Sequence, residues 1–371
     1  MTIRGLWEAP RNGMDDMSDT SSATPQPTAV PSSSPTPPVG EVNNRDHATS
    51  LWRRFISLDE IGPLLALIVL VILIGSFHSE FTEKTVLLNT LRSASFVAIT
   101  AYGMVYLLAM TEIDLSVGGI YALSIMLAAK WSVHIDPYVA ALLAIGIAAL
   151  LGAFNGILAN IFRIPVIIIT LGTLSMYRGL VQIVSDGKPV TGIPLQSSFF
   201  TKLGGETLGV PTAAWFVLVL GVILTFVFKK TRFGAMVRAT GSNHHAAEFS
   251  GIPTRRIRLY ALMLVGALAG LAGVLSLAYF QGADPTIGAG YELQVIAAAI
   301  IGGTAVSGGT GTVPGALIGA LIVAVINSGL IFFSINSNWT NFVTGAVIVI
   351  AVGSDALIRR RRASRALRGA V

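Results

Sequence analysis

From Ile61 to Phe77 the chain reads IGPLLALIVLVILIGSF without one charged side chain, and runs of similar character recur almost to its C-terminus. No other feature restricts the fold as much. A helix needs about 20 apolar residues to cross the hydrocarbon core, and every backbone amide inside lipid must find its partner within the protein. Hydrophobic residues make up 53% of the chain and charged residues 12%, about half the charged share of an ordinary globular domain. The expected fold is an all-α, polytopic integral membrane protein, because the uninterrupted runs lack the two-residue alternation of a β-barrel. Spans are expected near 61–77, 92–110, 115–133, 138–161, 165–184, 212–228, 259–280, 292–306, 313–334 and 340–357. That makes about ten transmembrane helices, some of them close enough together to be re-entrant.

Charge gives the expected sidedness. With the N-terminus inside, 19 of the 25 Lys and Arg residues fall on the inner side, in the N-terminal tail, at Arg163, between Lys229 and Arg258, and from Arg359 to Arg368. An excess of cations on the cytoplasmic side is the normal bias of membrane proteins, so both termini are expected in the cytoplasm. The net charge of +6 follows this distribution and carries no implication of nucleic-acid binding. The absence of cysteine excludes disulfides, thiolate metal sites and cysteine nucleophiles.

Three regions follow. Residues 1–55 form a Ser- and Pro-rich cytoplasmic tail, expected to be disordered because it has too little apolar surface to offset its ordering entropy. No apolar core follows its basic start, so it does not read as a signal peptide, and Met14 or Met17 are alternative starts. Residues 56–358 hold the spans, with an outer loop at 185–211 and an inner loop at 229–258, and residues 359–371 form a basic cytoplasmic tail.

Within the inner loop, Gly241-Ser242-Asn243 reads as a helix start and Ser250-Gly251-Ile252-Pro253 as its stop, so a short helix is expected from His244 to Phe249. It would suit a groove on another protein; an ordinary arginine-anchored loop is the plainer reading. His244 and His245 point about 100° apart on a helix, a poor pair for one metal, and no metal site is expected. Two further breaks stand out. TEIDLSVGG places Glu112, Asp114, Ser116, Gly118 and Gly119 between two spans; IIGGTAVSGGTG places Gly302, Gly303, Ser307, Gly308 and Gly309 around another polar interruption. Neither is a phosphate loop, for no Gly-Lys-Ser or Gly-Lys-Thr follows at the required spacing.

Ionisable and amide side chains inside a membrane are costly and point to function. Asn155, Arg178 and Asn327 are assigned to the translocation path, while Glu112, Asp114 and Glu292 fall at span ends within reach of water. Arg178 is expected to snorkel or to pair with an acid such as Asp186. Asp114 and Ser116 are expected to cap the following helix, with Gly118 and Gly119 letting it pack or bend. Four-residue glycine spacings, Gly152/Gly156, Gly266/Gly270 and Gly311/Gly315/Gly319, suit close helix packing. No catalytic constellation is present, and transport remains.

TEIDLSVGGIYALS (111–124), NGILANIFRIPVIIITLGTLSMYRGL (155–180), TRFGAMVRATGSNHHAAEFSGI (231–252) and GADPTIGAGYELQVIAAAIIGGTAVSGGTGTVPGALIGAL (282–321) occur in one order. Together they resemble the membrane permease subunits of bacterial ABC sugar importers, of the ribose, xylose and galactoside class. Members of that family usually carry Gly-Gly or a similar pair where this chain has Thr111-Glu112. The resemblance implies an importer subunit in the bacterial cell membrane that works by alternating access and has no cofactor, ATP being bound by a separate ATPase subunit. It also implies a second permease copy, identical or not, an extracytoplasmic sugar-binding protein and surrounding lipid as partners. Gly241, Ser242, Asn243, Ala246, Ala247, Glu248, Ser250, Gly251, Ile252 and Pro253 would then form the coupling segment that meets the ATPase. An ion-gradient-driven secondary transporter of a small polar solute, with Glu112 and Asp114 as ion sites, is the alternative. A channel or scaffold is a third.

Overall fold

The computed structural model describes residues 60–336, 339–340, 342–350 and 353. The tails expected at 1–55 and 359–371 lie outside the described residues, as does much of the span expected at 340–357, although 342–350 are helical. Twelve helices are bounded among the described residues: α1 Ile61–Phe77, α2 Lys84–Ala109, α3 Val117–Ser132, α4 Pro137–Phe162, α5 Val166–Ser185, α6 Ser198–Leu203, α7 Thr212–Lys230, α8 Arg232–Ser242, α9 His244–Phe249, α10 Thr254–Phe280, α11 Tyr291–Ile301 and α12 Val313–Phe332. A 3-10 turn spans Ser79–Thr82, and β1 Glu206–Thr207 pairs antiparallel with β2 Val210–Pro211. Six helices, α2, α4, α5, α7, α10 and α12, are long and apolar enough to cross a membrane. The chain is a polytopic all-α membrane protein.

Local chemistry sets several boundaries. Asp136 caps α4, its Oδ1 accepting the Tyr138 and Val139 amides at 2.9 and 3.3 Å ahead of Pro137. Thr312 does the same for α12, accepting the Gly315 amide at 3.2 Å with Pro314 in the first turn. The expected span 292–306 is corrected: α11 stops at Ile301, and its 11 residues rise only about 16 Å. Residues 302–312 then run without a regular element to the start of α12. The loop expected outside at 185–211 holds α6 and the β1–β2 hairpin.

Helix α2 is the axis of the bundle, buried without interruption from Ala94 to its end at Ala109. Around it pack α7, α8, α10, α11 and α12. By contrast α1, α4, α5 and α7 turn Leu73, Leu142, Ile183 and Val222 outward, as lipid-facing helices must. Lipid tails are as apolar as leucine, so burial alone does not drive helices together there; close backbone contact does. The pair α4 and α10 shows how. A Cβ on Gly266 would stand 3.1 Å from the Gly152 Cα, and one on Gly156 would stand 3.0 Å from the Leu259 Cα. On α12, Gly315 lies against Gly302 and Gly319 against Ala298 of α11, whereas Gly311 precedes the helix instead of sharing its face. Overpacking of this kind costs about 1–3 kcal/mol. Gly266→Leu is expected to lower the thermal unfolding midpoint in detergent clearly, while Gly146→Leu, at a glycine with open space around it, leaves it unchanged.

Candidate functional site: a glycine junction, a buried polar chain and a cavity

The two sequence breaks and the end of α8 meet at one place. Thr111 takes a left-handed turn (φ 63°) directly after α2, and Gly308 and Gly309 take φ 79° and 78°. The Gly309 amide donates to the Ala109 carbonyl at 2.9 Å. Gly241, in the last turn of α8, presses on that same carbonyl, while Gly309 lies against Ser242 and Gly308 against Thr111. A side chain at any of these glycines would enter a neighbouring segment. Gly303 is also left-handed (φ 96°), and Ser307 stands in the same turn-rich segment. Gly241 and Ser242 therefore close α8, and of the expected Gly241-Ser242-Asn243 start only Asn243 serves α9, which begins at His244 as expected. The cap of α9 is Asn243, whose Oδ1 accepts the Ala246 amide at 3.0 Å.

Helix α9 occupies the residues expected of it. Gly251 (φ 78°) ends it, with its amide on the Glu248 carbonyl at 2.9 Å and the Ile252 amide on the Ala247 carbonyl at 3.0 Å, ahead of Pro253. Ala246 receives the Ser250 hydroxyl on its carbonyl at 2.8 Å, and Glu248 accepts from Thr254 at 3.1 Å. Ala247 faces inward, and Phe249 is 93% exposed.

Beside the junction the chain folds inward. Asp114 is fully buried, which corrects the expectation that water reaches it. The reason lies in its neighbours: the Leu115 amide donates to Thr170 Oγ1 at 3.1 Å, drawing the segment under α5. Asp114 Oδ1 accepts both the Ser116 amide and the Ser116 hydroxyl, at 2.7 and 2.6 Å. Asn155 Nδ2 donates to Ser116 Oγ at 2.8 Å, and the Tyr177 hydroxyl donates to Asn155 Oδ1 at 2.9 Å. Neither Asp114 nor Ser116 caps the amides of α3; they start a polar chain across α3, α4 and α5 instead. Asp114 Oδ2 is buried with no hydrogen-bond partner among the described residues, a cost that a structural role must offset. Glu112 is tied down by Arg258 of α10, Oε1 lying 2.9 Å from Nε and 2.8 Å from Nη2. Gly118 and Gly119 are packing positions, the first against Glu292 and Gly288, the second against Tyr177.

At the opposite end of the bundle from α9 lies a cavity of about 560 Å³, a size suited to a small-molecule site. Its walls include Phe96, Tyr121, Tyr291 and Phe280, with Ser93, Asp284 and Gln294 as polar groups. Tyr121 and Tyr291 stack at 4.1 Å, their hydroxyls held by Ser276 at 2.6 Å and Thr100 at 2.7 Å. Asp284 lies in an exposed turn, where the hydroxyl and amide of Thr286 hold its carboxyl below the usual range. A smaller cavity of about 280 Å³ shares Ser93, Val97 and Gln294 with the first and reaches Asn327. Of the residues assigned to the path, Asn327 lines a cavity, whereas Asn155 belongs to the buried chain. Arg178 does not pair with Asp186, eight residues further along α5 and about 12 Å up the helix. It donates instead to the Ile287 carbonyl at 2.6 Å and to the Gly288 carbonyl, pinning the 281–290 connection that walls the cavity. Tyr121, Tyr177, Tyr291 and Gln294 escaped the sequence reading because uncharged side chains are ordinary in spans. The available signal was their place inside the same quoted motifs.

The profile of a family described as "Branched-chain amino acid transport system / permease component" matches residues 86–352. The chain belongs to this permease family. The permease is 38% identical over 299 residues to the ribose import permease protein of Bacillus subtilis (strain 168), covering 80% of this chain and 93% of that one. It is 35% identical over 317 residues to the ribose import permease protein of Escherichia coli (strain K12), covering 85% and 97%. It is 34% identical over 305 residues to the D-allose transport system permease protein of the same E. coli strain, covering 81% and 93%. No solved structure matches the permease. Family membership and the six long apolar helices place it in the cell membrane as a multi-pass transport subunit.

The Arg178 contacts make a direct prediction. The chain has no cysteine, so Ala289→Cys on the pinned connection supplies a unique thiol. Adding Arg178→Gln is expected to speed its alkylation several-fold; an unchanged rate would show that the two carbonyl contacts do not hold the segment.

Proposed function

We propose that this permease is the membrane-spanning subunit of an ATP-driven importer that carries a monosaccharide or a related sugar. One observation carries the reading: the alignment extends over 93–97% of two ribose permeases and of an allose permease. The family description speaks of branched-chain amino acids, but these three relatives are named for sugars. The cavity suits that chemistry, since stacked tyrosines offer a flat apolar face and Ser93, Asp284 and Gln294 offer hydrogen bonds at its rim.

In this reading both termini are cytoplasmic, residues 56–358 are the permease domain between two cytoplasmic tails, and α9 faces the cytoplasm. A separate ATPase subunit docks on the segment from Gly241 to Pro253, so the permease itself needs no cofactor and hydrolyses nothing. Phe249, the most exposed large apolar side chain among the described residues, is the anchor offered to that partner. Movement passes from α9 through Gly241 to the Ala109 carbonyl, and so to both glycine breaks, while Asp114 holds the geometry of the break. An extracytoplasmic binding protein delivers the sugar to the 185–211 and 281–290 face, and a second permease copy completes the pathway.

Three measurements test this. Uptake into vesicles containing permease and ATPase is expected to require ATP and to survive collapse of ion gradients; the reverse dependence would favour the secondary-transporter alternative. Phe249→Ala is expected to weaken ATPase association by about 2 kcal/mol, roughly 30-fold, as loss of a central aromatic anchor does. Deleting Ala246–Gly251 is expected to abolish uptake with membrane insertion intact, and normal uptake by that variant would overturn the coupling role.

A further inference from the structure

A second concavity, away from the junction and the cavity just described, runs between α7, α2 and α12 and encloses about 500 Å³. Its floor is Tyr102 of α2, whose hydroxyl donates to the Val217 carbonyl at 3.3 Å. The groove exists because residue 221 is glycine: a Cβ there would stand 2.9 Å from the Tyr102 hydroxyl. Its rim is Val222 and Phe226, 65% and 61% exposed, with Leu317 on the far wall. Both hydroxyls in its lining are already spent, that of Tyr102 on the Val217 carbonyl and that of Thr225 on the Gly221 carbonyl at 2.6 Å. A sugar would find no hydrogen bonds along this surface.

The end of the groove differs from its body. Lys229 and Lys230 close it, both exposed, and neither ammonium group has a hydrogen bond or ion pair among the described residues. From Val217 to Lys229 the helix rises about 18 Å, close to one leaflet of a hydrocarbon core ~30 Å thick. An apolar trough one leaflet long, facing outward and closed by two unpaired cations, matches one kind of molecule in shape and charge. We infer that it is a binding site for a single anionic phospholipid, with an acyl chain over Tyr102 and Gly221 and the phosphate at Lys229 and Lys230. Paired cations between transmembrane helices at the inner surface have this chemistry in general. Placing the phosphate in the inner leaflet rests on the sidedness proposed above; the binding itself does not.

The test is a binding measurement that needs no transport. The full-length permease, purified with its partner subunits and delipidated in detergent, is titrated with dioleoyl phosphatidylglycerol or dioleoyl phosphatidylcholine, and bound lipid is counted by native mass spectrometry. Wild type is expected to hold one phosphatidylglycerol in preference to phosphatidylcholine. Lys229→Gln with Lys230→Gln is expected to remove that preference, roughly fivefold for each lysine, without changing phosphatidylcholine binding. Thr225→Trp, which fills the trough and leaves the lysines in place, is expected to remove the tight site for both lipids. Equal phosphatidylglycerol binding by wild type and the double variant overturns the proposal. So does undiminished binding by Thr225→Trp, which would mean that the trough is not where the chain lies.

Discussion

The whole structure depends on backbones coming close enough to touch. In water, a helix pair gains by removing apolar surface from solvent; in lipid that gain is absent, and what remains is dispersion contact and the occasional polar bond. Glycine is the residue that permits it. Gly152 and Gly266 let α4 lie directly on α10, and Gly302 and Gly315 do the same for α11 and α12. Without those contacts α2 would have no shell around it, and the broken segments would have no protein to shield them.

That shielding explains how polar atoms survive inside. The carboxylate of Asp114 is tolerable because Ser116 meets one of its oxygens twice, and because the amide of Asn155 and the hydroxyl of Tyr177 extend the network to α4 and α5. Three helices are thus registered against one another by a few short bonds. The left-handed Thr111 and the paired Gly308–Gly309 sit at the edge of this rigid block, where backbone freedom meets the segment leading to α9. A stiff polar centre beside a glycine junction is a reasonable place for a movement to begin or end.

Much of this was legible in the sequence. Hydropathy and charge distribution pointed to a helical membrane protein, and turn and capping residues predicted α9 at its observed limits, because Asn243 and Gly251 act over a few neighbouring residues. What required three dimensions was long-range. Nothing near Asp114 in sequence says that Thr170 will draw its segment inward, and nothing near Arg178 says that it will reach Ile287 in place of Asp186. The expected length of α11 also differs from the observed one, since Ala305 and Val306 continue the apolar pattern although the helix has already ended at Ile301. Hydropathy records whether a segment tolerates lipid, not whether its backbone is helical there.

That short helix has a consequence for how the protein is made. An 11-residue helix followed by irregular backbone lacks a full helical ladder, and the Gly309 amide finds its partner only on Ala109 at the end of α2, since lipid cannot supply one. Tyr291–Thr312 therefore cannot rest in the bilayer on its own as it leaves the insertion machinery. It has to be held until α12 emerges and closes over it, with α2, made some 200 residues earlier, already waiting to receive it. The half-helix thus depends on one helix made before it and one made after it.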